Sequence, residues 1–294
     1  MMGYLFLAVA LTAGLIKGLS GRKISRDVES LKDGLFVNMV RTAFCASIGL
    51  ILVWIRNESL VLTLPAFLIC GLSAGSMAAF CISWLYAYKS EAYMFLNIFT
   101  MLGSVLTGLG GLLVYDENIS PMRWCGMLLL LVAVYIMSLY NNKLTGKITG
   151  RGAVTLIVGG LGVAVADFMQ KVFMHSAFGS AFTFSFYTYF IALLPQLVIW
   201  LVIRNKGKSS RNRILSDRPH MTIYLIMSGC LFLNSLAKTL AAGYLPASQM
   251  YPLLQGANLI CSAVLAQIFL NEKITGKSVL GISCALCAVI LMNI

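Results

Sequence analysis

Ten apolar stretches run along the chain, at about 2–17, 34–55, 62–87, 92–114, 122–140, 152–171, 179–203, 221–242, 248–270 and 277–294, separated by short segments rich in charge, proline or asparagine. A helix needs about 20 residues, at 1.5 Å each, to cross about 30 Å of hydrocarbon. In lipid every backbone N–H and C=O must find a partner within the segment, so continuous apolar runs of this length fold as helices. The pattern therefore predicts an all-α integral membrane protein of ten transmembrane helices. The first and last runs are the shortest, and local thinning or a tilted neighbour is expected there.

Composition agrees. Of 294 residues, 59% are hydrophobic and 11% charged, where soluble domains carry roughly 45–50% and about 25%. Ten helices of about 20 residues leave only short loops, with no room for a soluble domain. The start, Met-Met-Gly-Tyr, has no basic segment ahead of its apolar run and reads as a retained first helix. The eight cysteines (45, 70, 81, 125, 230, 261, 284 and 287) lie inside apolar runs, where Cys packs as a small hydrophobe. Disulfides are not expected, and the CxxC of Cys284 and Cys287 lacks the nearby acid or His of a metal site.

The net charge of +12 raises the question of nucleic acid, and the location of the bases answers it. An even number of spans puts both termini on one side. Opposite them lie sixteen bases: Arg22, Lys23, Arg26, Lys32, Lys89, Lys143, Lys147, Arg151, Arg204, Lys206, Lys208, Arg211, Arg213, Arg218, Lys273 and Lys277; the terminal side holds Arg56 and Arg123. Basic residues collect in cytoplasmic loops, so both termini are expected outside, with loops 18–33 and 204–220 in the cytoplasm of a cell whose plasma (inner) membrane holds the chain. The excess is a topology signal and calls for no nucleic-acid partner. Loop 204–220 also suits the anionic headgroups of membrane lipids.

The chain repeats itself. At an offset of 155 residues, Leu85, Ala87, Ala92, Glu117, Ile119, Gly126, Leu131, Ala133, Val134 and Met137 match Leu240, Ala242, Ala247, Glu272, Ile274, Gly281, Leu286, Ala288, Val289 and Met292. Polar landmarks coincide: Asp116-Glu117-Asn118-Ile119-Ser120 stands opposite Asn271-Glu272-Lys273-Ile274-Thr275. A second match at offset 148 pairs Phe36 with Phe184 and Ile55-Arg56-Asn57 with Ile203-Arg204-Asn205. The halves are 1–148 and 149–294, each with five helices. Five is odd, so the second half is inserted upside down, the arrangement by which secondary transporters build a midplane site and alternate its access.

With an acid and a hydroxyl after the fourth helix of each half (Glu117 and Ser120; Glu272 and Thr275), and a glycine one turn into the fifth (Gly126; Gly281), the chain resembles the ten-helix EamA-type members of the drug/metabolite transporter superfamily. The resemblance covers nearly the whole chain. It implies a central cavity lined by helices 1, 3, 4, 6, 8 and 9 and transport of small metabolites, often export. Two departures stand out: the helix-1 glutamate of the small multidrug members is absent from Leu11-Thr12-Ala13-Gly14-Leu15, and the termini are expected outside instead of inside.

Asp167 is the acid within a span; the other nine (27, 29, 33, 58, 91, 116, 117, 217 and 272) fall in loops or at helix ends. An ionisable group in hydrocarbon costs about 2.5–3.5 kcal/mol on insertion scales, so it faces a cavity or a partner. Lys171 lies four residues on, on the same helix face, as a structural ion pair or as part of a substrate site. Helices 6 and 8 end, and helix 9 begins, on the outer side. Asp167, Lys171, Asn234, Lys238, Tyr251 and Gln255 therefore fall at similar outer depth. Two bases against one acid suit the carboxylate or phosphate of a zwitterionic or anionic solute; plain snorkelling of both lysines to the interface is the competing reading.

The repeat places a related set at the inner side: Lys17, Asn38, Arg41, Trp84, Tyr88 and Asn97. Trp84 and Asn97 are candidates for substrate contact. Arg41 is roughly 10 Å into helix 2 and either caps a carbonyl or pairs with Glu91 as a gate. The helix-7 aromatics Phe182, Phe184, Phe186, Tyr187, Tyr189 and Phe190 read as packing, and Pro195, Pro246 and Pro252 as breaks that free backbone carbonyls.

No GxxxxGK[ST] occurs, so no cofactor or ATP is expected, and energy comes from protons or a counter-solute. The expected function is secondary-active movement of a small polar, zwitterionic or anionic metabolite, in the direction of export, with Asp167 as the acidic candidate for proton coupling. A lipid-linked sugar or a quaternary amine is the alternative cargo. An integral-membrane enzyme needs clustered acids or a nucleophile with its base, and the chain has one buried acid and two His near helix ends. A channel would show a ring of charge or a filter-like motif.

Overall fold

The computed structural model describes residues 1–25, 31–89, 93–117, 119–140, 150–203, 218–270 and 276–292. Among them are ten helices and no strand: α1 (Met2–Ser25), α2 (Leu31–Ile55), α3 (Leu64–Lys89), α4 (Tyr93–Tyr115), α5 (Pro121–Tyr140), α6 (Gly150–His175), α7 (Ala181–Ile203), α8 (Arg218–Ala242), α9 (Ala247–Leu270) and α10 (Gly276–Leu291). Each apolar run became one helix. The largest departure is α1, which continues past its apolar run through Arg22 and Lys23, so the first span is not short. α10, at 16 residues, remains the shortest.

Six described helices are long and apolar enough to cross a membrane, and Phe99–Tyr115, Pro121–Ala133 and Val279–Leu291 are shorter apolar segments. Local chemistry explains several boundaries. Ser120 precedes Pro121, the first residue of α5, and its hydroxyl accepts the Arg123 N–H at 3.3 Å, a serine cap followed by a proline whose missing N–H costs nothing there. Ser180 caps α7 in the same way, accepting the Thr183 N–H at 3.1 Å. Asn57, Asp116 and Ala177, with φ of 53°, 50° and 50°, turn the chain out of α2, α4 and α6.

Two compact units form, and each draws on both halves of the sequence. Unit 1 is Met1–Ala78 with Met169–Gly243; unit 2 is Ala79–Phe168 with Tyr244–Ile294. In unit 1, α1 packs along α8 and α2 along α7; in unit 2, α4 packs along α9 and α5 along α10. The equivalent helices of the two halves run antiparallel. On α2 and α7, Thr42 meets Gln196 while Gly49 faces Phe186. On α4 and α9, Gly108 and Gly111 face Ser248 and Ala247, while Met101 and Val105 share a core cluster with Leu259 and Ile260. Ascending numbers on one helix meet descending numbers on its counterpart, which is the signature of an inverted repeat.

Small residues set the close crossings, as expected where lipid gives apolar side chains no reason to leave it and backbones must approach to gain contact. A Cβ on Gly160 would lie 2.4 Å from the Phe99 carbonyl oxygen, and one on Gly103 would lie 2.4 Å from that of Gly160. Thr107 closes the seam, donating to the Ala164 carbonyl at 3.1 Å. The outward apolar side chains, among them Trp54, Leu113, Leu128, Val198 and Val202, are those a lipid tail would cover.

Candidate functional site

The inner set is divided between the units: Lys17, Asn38 and Arg41 belong to unit 1, and Trp84, Tyr88 and Asn97 to unit 2. Asn38, Arg41 and Thr42 recur at helical spacing on α2 and are all buried. The Arg41 guanidinium donates to the Asn38 side-chain oxygen. Thr42 donates to the Asn38 carbonyl at 2.8 Å and lies 3.3 Å from Oε1 of Gln196 on α7. Arg41 is thus held by its own helix and tied to α7 through Thr42. Lys17 is half-buried on α1. Glu91 and the side chains of Tyr88 and Asn97 lie outside the described residues, so the Arg41–Glu91 gate stays a proposal.

Sequence reasoning passed over several polar groups in this unit. Gln170, Thr188 and Gln196 are buried, and Gln170 Oε1, Thr188 Oγ1 and Gln196 Nε2 have no hydrogen-bond partner among the described residues. A buried polar group left unmet costs about 1–3 kcal/mol. The signal was present: an amide between Asp167 and Lys171, and another directly after Pro195. Neutral amides draw less notice than charges, but lipid penalises both.

The outer set is divided between the units, because the division falls inside α6. In unit 2, Asp167 is 3% exposed, and its backbone carbonyl accepts the Tyr251 hydroxyl at 2.5 Å. Gln255 is half-buried one turn further along α9; Trp84, of the inner set, is half-buried on α3 beside Ser83, which donates to the Thr155 carbonyl at 2.6 Å. In unit 1, Lys171 is 8% exposed and donates to the Ala242 carbonyl at 3.1 Å. Ala242 is the last residue of α8. The ammonium therefore caps a helix C-terminus, where the peptide dipoles concentrate negative charge. The Asn234 amide donates to the Ala10 carbonyl at 2.6 Å, joining α8 to α1 beside Gly14. Lys238, one turn on, is half-buried.

Both units pin a helix N-terminus with a loop carboxylate. Glu58 accepts from the Ser180 hydroxyl and, at 3.3 Å, from that of Thr183 at the start of α7. Its other oxygen lies 3.5 Å from Arg56, whose guanidinium stands 4.9 Å from the Phe182 ring centroid. Glu117 accepts from the backbone N–H groups of Ala247 and Ser248 at 2.9 and 3.0 Å and from the Ser248 hydroxyl at 3.0 Å. The repeated acid thus acquires a role that spacing alone did not assign it.

The remaining helix-7 aromatics pack or anchor. Phe184 is buried with its centroid 4.9 Å from that of Phe173, Tyr189 is buried, and Tyr187 donates to the Leu60 carbonyl at 2.5 Å. Pro195 and Pro252 lie within α7 and α9, where their missing N–H leaves the Ile191 and Ser248 carbonyls without the usual helical donor. The Pro246 carbonyl instead accepts the Met250 N–H at 2.9 Å and opens α9. All eight cysteines are free thiols.

The pattern described as the EamA-like transporter family matches residues 1–139 and again 150–294. No curated protein matches the chain. One solved chain, described as a crystal structure of a protein, is similar over 98% of this chain and 95% of its own length, with a TM-score of 0.77 and 11% identity, a likeness of fold alone.

Proposed function

The chain belongs to the EamA-like transporter family, and from that premise we propose a secondary-active transporter that moves a small zwitterionic or anionic metabolite across the plasma membrane by alternating access, in the direction of export. The antiparallel packing of equivalent helices carries the mechanism, since two inverted copies of one fold can exchange conformations and so open a site to either side. The sequence halves 1–148 and 149–294 are the proposed repeats.

For the substrate's anionic group we propose Lys238. Lys238 sits one turn from Asn234, half-buried in an apolar helix. A compact ammonium at partial depth suits an oxyanion. Thermal-shift screening of purified protein against amino acids, sugar phosphates, nucleobases and quaternary amines tests this. A carboxylate or phosphate solute at about 100 times its Kd should stabilise by about 2.7 kcal/mol. Lys238→Ala should remove that gain. Stabilisation by quaternary amines alone, unchanged in Lys238→Ala, would overturn the anionic reading in favour of an amine.

For orientation we propose both termini outside. A C-terminal alkaline phosphatase fusion, active only after export, should be active, and a C-terminal green fluorescent protein should be dark. The reverse pair of results would invert the topology.

A further inference from the structure

We propose that Glu117 is a positioning residue of the transport cycle: its carboxylate latches the first turn of α9 to the end of α4, and the latch must release for this end of the seam to open. The proposal rests on the transporter reading above and adds to it a residue and a moving part.

Three donors converge on one side chain. Oε1 takes the Ala247 N–H, and Oε2 takes both the N–H and the hydroxyl of Ser248. The first N–H groups of a helix have no intrahelical acceptor and carry the positive end of its dipole, so an anion there satisfies both bonding and charge. Bonds from such donors to a carboxylate are the strong, charge-assisted kind.

The surroundings are shaped around that contact. A Cβ on Gly111, in the last turns of α4, would lie 2.7 Å from Glu117 Oε2 and 2.9 Å from the Ala247 Cβ. One on Gly108 would lie 3.1 Å from the Ser248 Cα. Glycine at both positions lets α4 and α9 close until the loop carboxylate reaches the helix start. One turn on, Tyr251 bonds to the Asp167 carbonyl, so a single turn of α9 is held by the α4–α5 loop at one end and by α6 at the other.

Pro252 follows at once. It donates no N–H to the Ser248 carbonyl, so the first turn is coupled to the rest of α9 by fewer backbone bonds than an unbroken helix would supply. That turn can pivot at Pro252 once Glu117 lets go, while the remainder of α9 keeps its packing on Met101, Val105 and α10.

Nitroxide spin labels on Val114 and Tyr244, which are 58% and 64% exposed in unit 2, read the latch by pulsed electron–electron distance measurement in nanodiscs. No substrate is needed, so a chain that moves none of the solutes tried still reports on it. Wild-type protein should give a dominant short distance. In Glu117→Gln one acceptor oxygen becomes a donor facing donors, and the ratio of long to short distances should rise about tenfold, the shift expected from losing one charge-assisted bond. Gly111→Ala should do the same without altering charge. Ser248→Ala, the mildest change, should move the ratio in the same direction by less, and it serves if either other variant fails to fold. A distribution unchanged from wild type in the folded variants would overturn the latch. A misfolded structural mutant would broaden or lose the signal instead of adding a second defined distance.

Discussion

Replacing Gly160 by valine should leave almost no folded protein in the membrane. The first added carbon would sit 2.4 Å from the Phe99 carbonyl oxygen and 2.6 Å from its carbon, well inside contact distance. The obstacle is backbone in the middle of a helix, so no side chain can swing aside. Ordinary overpacking costs about 1–3 kcal/mol when neighbours yield; separating α4 from α6 also strains the Thr107–Ala164 bond and opens Gly103 against Gly160. Because the clash is with fixed backbone, the loss exceeds that ordinary range and takes a large share of a total stability of about 5–15 kcal/mol. The measurement is the monodisperse fraction after extraction and size-exclusion chromatography. Gly18, Gly71, Gly75 and Gly229 supply the controls, since a Cβ on any of them meets nothing within 4 Å. Gly75→Ala should extract like wild type. A normal yield for Gly160→Val would show that the α4–α6 seam is not formed as described.

Asp167→Asn should abolish accumulation driven by a pH gradient while leaving the protein folded and able to exchange solute. The substitution keeps the contact with Tyr251, because what Tyr251 holds at this position is the backbone carbonyl, which asparagine retains. Asn is also close in size, so packing at a site 3% exposed is preserved. In proteoliposomes loaded with a solute found by thermal shift, uptake under an imposed pH gradient should fall at least tenfold, with counterflow in the absence of a gradient near the wild-type rate. Unchanged gradient-driven uptake would remove Asp167 from coupling. Equal loss of both activities would make it a substrate or structural residue instead.

The two experiments bear on different levels of the same helix. Gly160 lies where α6 must approach another backbone, and Asp167 two turns further on, an acid within an apolar helix. Both positions are visible in the amino-acid string, but for unequal reasons. A lone acid among apolar residues announces itself, because few side chains are so penalised in lipid. A glycine in a helix announces nothing, since some glycines fill close crossings and others, such as Gly71 and Gly75, face open space.

Membership of the ten-helix, inverted-repeat class was determined by sequence alone. The reason is that lipid imposes a one-dimensional rule: each span must be continuous, apolar and about 20 residues long, and loops must hold the charge. That rule found all ten helices and, through the repeat, the inversion later seen in the antiparallel counterparts. What each polar side chain does was decided by tertiary structure. Lys171 caps α8 and Asn234 ties α8 to α1, contacts that residue type and depth do not specify. Glu117 was a repeated letter until α9 was found to begin beneath it. A hydrogen bond in hydrocarbon is satisfied by whichever donor or acceptor lies within about 3 Å, and the backbone carbonyls and N–H groups that met these side chains come from segments as much as 224 positions away. No spacing rule along the chain reports that distance.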